Sequence, residues 1–250
     1  MKNKVLTGLL LVLIGGWGNL LAQNAGSNYA RQVNTLIGTK GVGLTSGYLY
    51  PGATYPYGMV QFTPSYFSKR SGFVINQLSG GGCEHMGNFP TFPVKGKLKM
   101  SPDNILNYRI NISEEKGHAG YYEAMVQEDI KAKLTVTERT GMASYEYPAD
   151  QQYGTVIIGG GISATPIEQA AIVITAPNKC EGYAEGGNFC GLRTPYKVYF
   201  VAEFDADALE SGTWKRDELK PNTTFAEGEY SGVYFTFDVS KKKNVQYKIG

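Results

Sequence analysis

The stretch QLSGGGCEHMGNFP, residues 77–90, places a thiol, a carboxylate and an imidazole side by side behind three glycines. These groups serve nucleophilic catalysis and metal ligation. Adjacent side chains on an extended chain point to opposite sides, so Cys83, Glu84 and His85 do not share one face. The only other histidine is His118, in a polar stretch. The spacing therefore argues against a zinc site and a Cys–His nucleophile pair in this stretch.

The three glycines Gly80–Gly82 predict a sharp bend whose bare backbone can approach a ligand closely. For Glu84 and His85 two interpretations remain open: the side chains hydrogen-bond the bend itself, or they contact a ligand. A second glycine-rich stretch, GGGISA at residues 159–164, formally fits a dinucleotide-binding pattern. That motif requires a helix immediately afterwards, and Thr165-Pro166 stand there instead, so we expect no nucleotide site.

The composition is that of a globular protein, with 42% apolar and 18% charged residues over 250 positions. The beginning, MKNKVLTGLLLVLIGGWGNLLAQ, places two lysines before an apolar run and predicts a signal peptide over residues 1–22. The alternative is an uncleaved membrane anchor, which the glycines interrupting the run disfavour. Cleavage leaves 24 − 2 = 22 basic residues against 22 acidic ones. We therefore expect no nucleic-acid partner and no membrane span in the mature chain.

Export would place the three cysteines, Cys83, Cys180 and Cys190, in an oxidising compartment. Three cysteines allow one disulfide and one remaining thiol. Cys180 and Cys190 flank the glycine-rich segment EGYAEGGNF, which a disulfide would close as a loop. We expect this pair to form, the alternative being three unpaired thiols. A Cys83→Ser change is then expected to leave folding nearly intact.

Most of the remaining chain has the pattern of β-strands. In KAKLTVTER, for example, Ala132, Leu134 and Val136 alternate with lysines and threonines. Glycine and proline punctuate these segments at the intervals of an antiparallel, all-β sandwich with few helices. Residues 34–93 are instead rich in glycine and proline, and long irregular segments of this kind are usually functional. The last residues, VSKKKNVQYKIG, predict the beginning of a further strand, so we expect the chain to stop before a natural partner begins.

Several segments together resemble the amino-terminal domain of the family 92 glycoside hydrolases, which are calcium-dependent exo-α-mannosidases. They include VNTLIGT at 33–39, YPGATYPYGMVQFTP at 50–64, LSGGGCEHMGNFPTFP at 78–93, EEKGHAGYYEAMV at 114–126, IKAKLTVTERTGMASYEYP at 130–148 and GGNFCGLRTPYKVYFVAEFD at 186–205. The resemblance implies that residues 23–250 form a twisted antiparallel β-sandwich of the galactose-mutarotase-like supersandwich kind. It also implies that the (α/α)6 catalytic barrel of the family is missing from this chain.

The implied activity is inverting hydrolysis of terminal α-mannose in N-glycans or mannans, in the periplasm or outside a Bacteroidetes-like cell. In the complete family enzyme a Ca²⁺ ion grips the mannose hydroxyls, a glutamic acid protonates the leaving oxygen and an aspartate activates water. These groups belong to the barrel. The resemblance therefore implies an isolated chain that binds no calcium and is inactive, with the barrel and mannose-containing glycans as its partners.

What the resemblance carries over to this chain is a contribution to the rim of the substrate pocket. The implied substrate-binding positions are Tyr57, Gly58, Gly82, Cys83, Glu84 and His85. Many members also have a Trp-Asp-Gly-Cys run whose tryptophan contacts the leaving sugar, but residues 65–76 here contain no tryptophan. The linkage preference of the α-1,2-cleaving members is therefore not carried over. The alternative function is a stand-alone carbohydrate-binding or interaction module without catalysis.

Overall fold

The computed structural model describes residues 29–39, 49–65, 72–103 and 111–250. The chain separates into two compact units, Met1–Val33 and Asn34–Gly250. In the first unit the described part contains a 3-10 helix at Tyr29–Gln32. The predicted signal peptide, residues 1–22, lies outside the described residues. Over the described ranges, no helix is long and apolar enough to cross a membrane.

The second unit is built from β-strands throughout its described part. In chain order they are β1 (Ala53–Thr54), β2 (Gln61–Pro64), β3 (Phe73–Val74), β4 (Thr91–Lys95), β5 (Ile112–His118), β6 (Tyr121–Val126), β7 (Ile130–Val136), β8 (Gly141–Glu146), β9 (Tyr153–Gly159), β10 (Ile167–Ala176), β11 (Lys179–Phe189), β12 (Leu192–Phe204), β13 (Glu210–Lys215), β14 (Glu218–Pro221), β15 (Phe225–Glu227), β16 (Ser231–Asp238) and β17 (Asn244–Ile249).

These strands form two antiparallel sheets, which confirms the predicted all-β sandwich. The first sheet has eight strands in the order β1-β2-β3-β4-β9-β16-β13-β14. The second has nine strands in the order β15-β10-β11-β12-β17-β8-β7-β6-β5. The predicted alternation in β7 is present, because Ala132 and Leu134 are buried between partly exposed lysines, while Val136 at the end of the strand is only partly buried. Such alternation is what an antiparallel sheet with one solvated face requires.

Aromatic side chains fill the space between the two sheets. The rings of Phe62 in β2 and Tyr247 in β17 meet edge to face, with their centroids 6.3 Å apart. The ring centroids of Phe204 in β12 and Phe235 in β16 are 4.8 Å apart. The sheets approach each other closely at Gly141, where an added Cβ would lie 2.7 Å from the Phe62 ring. Aromatic rings thus supply the bulk of the core, and glycine permits a close approach of the other sheet.

The hydroxyls of two buried tyrosines are paired within this core. The hydroxyls of Tyr145 and Tyr247 lie 2.9 Å apart, and Tyr247 donates to Thr91 Oγ1 at 2.6 Å across the sheet interface. Tyr147 is also buried and donates to the Thr155 carbonyl at 2.9 Å. Burial is the main reason that the pKa of each tyrosine, Tyr145, Tyr147 and Tyr247, lies above its ordinary value. Neutral, hydrogen-bonded phenols satisfy the polar atoms that this aromatic core must bury.

The disulfide joins Cys83 to Cys190, with the Cα atoms 5.4 Å apart, so the expected Cys180–Cys190 pair is wrong. Cys180 is a free, buried thiol at the beginning of β11, and burial raises its pKa. Residues 181–189 are an extended strand rather than a loop, so Cys180 and Cys190 are separated by about 30 Å at a rise of about 3.3 Å per residue. Cys190 instead lies in the turn after β11, within reach of the glycine bend.

We predict that a Cys190→Ser variant loses about 2–5 kcal/mol of unfolding free energy, because the disulfide closes a loop of 107 residues. The expectation that Cys83→Ser leaves folding nearly intact is replaced accordingly. Urea unfolding without reductant measures the loss. The double variant Cys83→Ser/Cys190→Ser is the control and should be no less stable than the single one. Unchanged stability of the native protein after full reduction would contradict the prediction.

We also predict that stability falls above about pH 10, the ordinary pKa of tyrosine. The unfolded chain loses its tyrosine protons there, whereas Tyr145, Tyr147 and Tyr247 keep theirs in the folded state, so rising pH favours unfolding. Each such group contributes about 1.4 kcal/mol per pH unit. Urea titrations between pH 8 and 11 measure the slope, and Tyr247→Phe should reduce it by about one group's share. An equal slope in the variant would contradict this assignment.

Candidate functional site

The glycine bend at residues 78–85 is a closed loop with left-handed backbone at two of its glycines. Gln77 and Met86 form an isolated β-bridge, and Gly87 N donates to the Asn76 carbonyl at 2.7 Å, so the two ends meet. Gly80 and Gly82 have φ of 74° and 75°. A Cβ at Gly82 would touch nothing within 4 Å, so backbone conformation rather than space favours glycine there.

Three contacts hold this bend on the tip of the β11–β12 hairpin. The first is the disulfide from Cys83 to Cys190. The second is a hydrogen bond that His85 Nδ1 donates to the Asn188 carbonyl at 3.2 Å. The third is the His85 ring itself, which meets Phe189 and Tyr196 edge to face with both centroids at 5.5 Å. Two of the predicted substrate-binding residues, Cys83 and His85, therefore fix the bend to the hairpin.

A cavity of about 280 Å³ lies beside the bend. Its lining combines uncharged polar groups with apolar surface and consists of Asn34, Thr35, Ile37, Leu49, Tyr50, Gly52, Thr54, Ser79, His118, Ala119 and Gly120. The bend contributes Ser79 directly, and a Cβ at Gly80 would lie 3.5 Å from Leu49 Cδ2. Hydroxyl, amide and imidazole groups next to aliphatic surface suit a neutral, hydroxyl-bearing ligand.

Glu84 acts on this cavity electrostatically through Tyr50. Burial raises the pKa of the Tyr50 hydroxyl well above its ordinary value, and the nearby Glu84 carboxylate makes a smaller contribution in the same direction. Tyr50 therefore keeps its proton to a higher pH than an exposed tyrosine does. Of the predicted positions in the bend, Glu84 is the one whose charge reaches a residue that lines the cavity.

Tyr57 and Gly58 lie in a separate turn after β1. Tyr57 has φ of 59° and a fully exposed side chain, and Gly58 N donates to the Tyr55 carbonyl at 3.0 Å. Met59 N donates to the Glu138 carbonyl at 2.7 Å, which ties the turn to the loop between β7 and β8. The described contacts thus attach the Tyr57 turn to the β7–β8 loop, whereas they attach the bend to the β11–β12 hairpin.

Strand register places both attachments at one end of the nine-stranded sheet. Gly141 pairs with Ile249, Ile249 pairs with Ala202, and Gly250 exchanges both backbone hydrogen bonds with Val201. The β7–β8 loop and Gly250 therefore face the same way along the sheet as the β11–β12 tip. Residues 192–200 carry that tip about 30 Å past Gly250 at about 3.3 Å per residue. At this end of the sheet, the β11–β12 hairpin therefore extends well beyond the neighbouring β7–β8 turn and Gly250.

His118 is a cavity residue that sequence reasoning did not select. Its ring stacks on Tyr121 with centroids 5.1 Å apart and planes at 19°, and Nδ1 donates to the Ala119 carbonyl at 3.1 Å. Nε2 is then the nitrogen left to accept a hydrogen bond from a ligand in the cavity. The signal present in the sequence was a histidine between two glycines, in a short connection before a tyrosine-rich strand.

Relatives of known sequence and structure resemble this chain. A fungal protein from Arthroderma benhamiae, named an uncharacterized secreted glycosidase, is 31% identical over 138 residues, which cover 47% of this chain and 17% of the fungal one. A family GH92 α-mannosidase from Bacteroides thetaiotaomicron, solved with mannoimidazole, superimposes with a TM-score of 0.74 at 23% identity, over 88% of this chain and 32% of that one. A GH92 inverting mannosidase from B. thetaiotaomicron VPI-5482 gives 0.72 at 23% identity, over 87% and 30%.

The solved structures support the fold. Comparison of chain lengths shows how much of each relative this chain covers. The chain spans about a third of the solved relatives, 32% and 30%, and 17% of the fungal protein. The model of the glycosyl hydrolase family 92 N-terminal domain matches residues 32–250. This match confirms the resemblance noted in the sequence motifs. The chain belongs to the glycosyl hydrolase family 92 N-terminal domain family.

Proposed function

We propose that this chain is the N-terminal sandwich of an exported exo-α-mannosidase that removes terminal α-mannose from N-glycans or mannans. The observation that carries the proposal is the family match over residues 32–250. The solved relatives, one named an α-mannosidase and the other an inverting mannosidase, share the fold over most of this chain and support it. Hydrolysis in this proposal requires a C-terminal catalytic domain, so the isolated chain has no turnover of its own.

The contribution of this chain is the rim of the substrate pocket at the end of the nine-stranded sheet. The Tyr57 turn, the glycine bend and the cavity with His118 supply polar groups there. The Gly250 backbone is paired with Val201 at this same end. A domain joined after position 250 would therefore begin next to the rim. Tyr57, Gly58 and Gly82–His85 are the rim positions we assign to contact with the sugar or with its immediate support.

In this proposal, this chain and the C-terminal domain have different chemical roles. The general acid, the general base and the calcium ion reside in the C-terminal domain, as in the family that the motifs resemble. In the part of the chain that the structure describes, no group of three or more His, Cys, Asp or Glu side chains is arranged to hold a metal ion. In this proposal the residues of this chain bind and orient a neutral sugar and restrict the access of water to it.

Export is part of the proposal because the fungal relative is named as secreted and because residues 1–22 have the basic-then-apolar order of a signal peptide. An oxidising compartment would keep the disulfide between Cys83 and Cys190 formed. The disulfide would then hold the bend on the hairpin before the sugar binds. The mannosidic linkage is left open in this proposal, since residues 65–76 lack the tryptophan of the α-1,2-cleaving members.

We predict that the mature chain alone does not hydrolyse an aryl α-mannoside, and that it does so when joined to the catalytic domain of a family 92 enzyme. Activity of the joined protein should disappear with a calcium chelator and return with added Ca²⁺. Proton NMR should detect β-mannose as the first product, because inversion changes the anomeric configuration. The control is the same catalytic domain without this chain. Turnover by the isolated chain would contradict the proposal, as would a retained α-anomer.

A further inference from the structure

The outer face of the nine-stranded sheet carries a hollow of about 460 Å³ far along the strands from the bend. Its floor and walls are Ala171, Ile172, Val173, Glu181, Gly182, Tyr183, Tyr199, Phe200, Val201 and Phe225. The register arranges the outward-facing members in two rows across β15, β10, β11 and β12. One row is Phe225, Val173, Glu181 and Val201, and the other contains Ala171, Tyr183 and Tyr199.

Residue size along these rows creates the hollow. The small side chains Ala171 and Val173 lie on β10, with Phe225 one strand away on one side and Tyr183 one strand away on the other. Adjacent strands are about 4.8 Å apart, so the backbones that carry the two aromatic walls are about 10 Å apart. A ring in contact with aromatic carbons on both sides needs about 7–8 Å, twice an ordinary carbon–carbon contact. This aromatic slot, formed by Ala171, Val173, Tyr183, Tyr199 and Phe225, therefore has the width of one ring.

The walls of the aromatic slot are accessible and partly held in place. Tyr199 is 66% exposed and Phe225 is 53% exposed, values that leave much of each ring open to a ligand. On the β12 side, the Lys197 ammonium lies 4.2 Å from the centroid of the Tyr183 ring and 5.5 Å from that of Tyr199. Lys197 is also ion-paired with Glu185. A ring pair fixed in this way loses little freedom when a ligand binds.

The chemistry of the aromatic slot selects a neutral ligand with apolar faces and a polar edge. Glu181 is the one acidic or basic side chain that lines the hollow, Glu227 on β15 pairs with the slot residue Ala171, and the neighbouring cation Lys197 is already ion-paired with Glu185. The tyrosine hydroxyls add hydrogen-bonding groups at the edge of an apolar floor. A pyranose ring has this division, with C–H groups on its faces and hydroxyls around its edge. We propose that the aromatic slot is a second glycan-binding site, which holds one pyranose ring of a neutral oligosaccharide or polysaccharide.

The position of Gly250 favours a glycan over a following polypeptide as the occupant. Gly250 pairs with Val201 along the edge of β12 that faces away from β11, whereas the aromatic slot extends from β12 across β11 and β10 to β15. A chain that continued in the plane of the sheet would run along that far edge and leave the slot open. The slot is also separate from the rim assigned above, so glycan held there would anchor a polymer without occupying the catalytic pocket.

The test is binding of α-mannan and of mannotriose to the mature chain, by affinity electrophoresis and by calorimetry at millimolar sugar. We expect retardation in the mannan gel and measurable heat with mannotriose. Phe225→Ala removes one wall, and Ala171→Leu fills the floor with an aliphatic side chain. Each should weaken binding at least about fivefold, the scale of one lost aromatic contact. Leu209→Ala, which shortens an exposed apolar side chain outside both the slot and the rim, is the control and should retain most of the mannan retardation.

Circular dichroism and thermal unfolding establish that each variant is folded. Wild-type protein that neither shifts in mannan nor gives heat would overturn the aromatic slot as a glycan site. So would Phe225→Ala and Ala171→Leu variants that bind as the wild type does. Concentration-dependent self-association that Phe225→Ala abolishes would assign the slot to a second copy of the chain instead. These outcomes are distinguishable from failure of the proposed function, because hydrolysis of a small aryl mannoside by the joined protein does not require the slot.

Discussion

The disulfide between Cys83 and Cys190 is the constraint on which the candidate site depends. It joins an irregular, glycine-rich bend to the tip of a long two-stranded hairpin, 107 residues away in sequence. The bend has few apolar side chains of its own, and Gly80 and Gly82 give its backbone many alternatives in the unfolded chain. A covalent tie removes much of that freedom before folding and leaves His85 to complete the attachment through its ring and one hydrogen bond.

The sandwich makes this arrangement possible because its strands differ in length. The hairpin of β11 and β12 extends beyond the ends of β17, β8 and β7, so a step forms where the short strands turn back. The Tyr57 turn and the cavity lie beside the turns of the shorter strands, and the bend lies on the hairpin. Behind them, paired tyrosine hydroxyls and close aromatic contacts hold the two sheets together. Loops that carry function are thus placed by rigid strands, as in many binding proteins.

Sequence reasoning predicted the strands well because side-chain alternation is a local signal. In β7 the positions Ala132 and Leu134 were assigned to the core from spacing alone, and both are buried. The glycine bend was also predicted, since glycine reports backbone conformation directly. The cysteine pairing was wrong because it depends on which distant turn lies beside the bend. Treating residues 181–189 as a loop hid the fact that an extended strand separates Cys180 from Cys190.

The cavity could not be assembled from the sequence for a similar reason. Its lining comes from the segment before β1, from the bend and from the turn after β5, and only tertiary packing brings these together.

The most direct test of the rim assignment is a crystal structure of this chain joined to a family 92 catalytic domain, with a mannose-mimicking inhibitor bound. We predict side chains of the Tyr57 turn or the glycine bend within about 4 Å of the inhibitor, with Cys83 and Cys190 bonded. An inhibitor enclosed entirely by the catalytic domain, with this end of the sandwich facing solvent, would contradict that prediction.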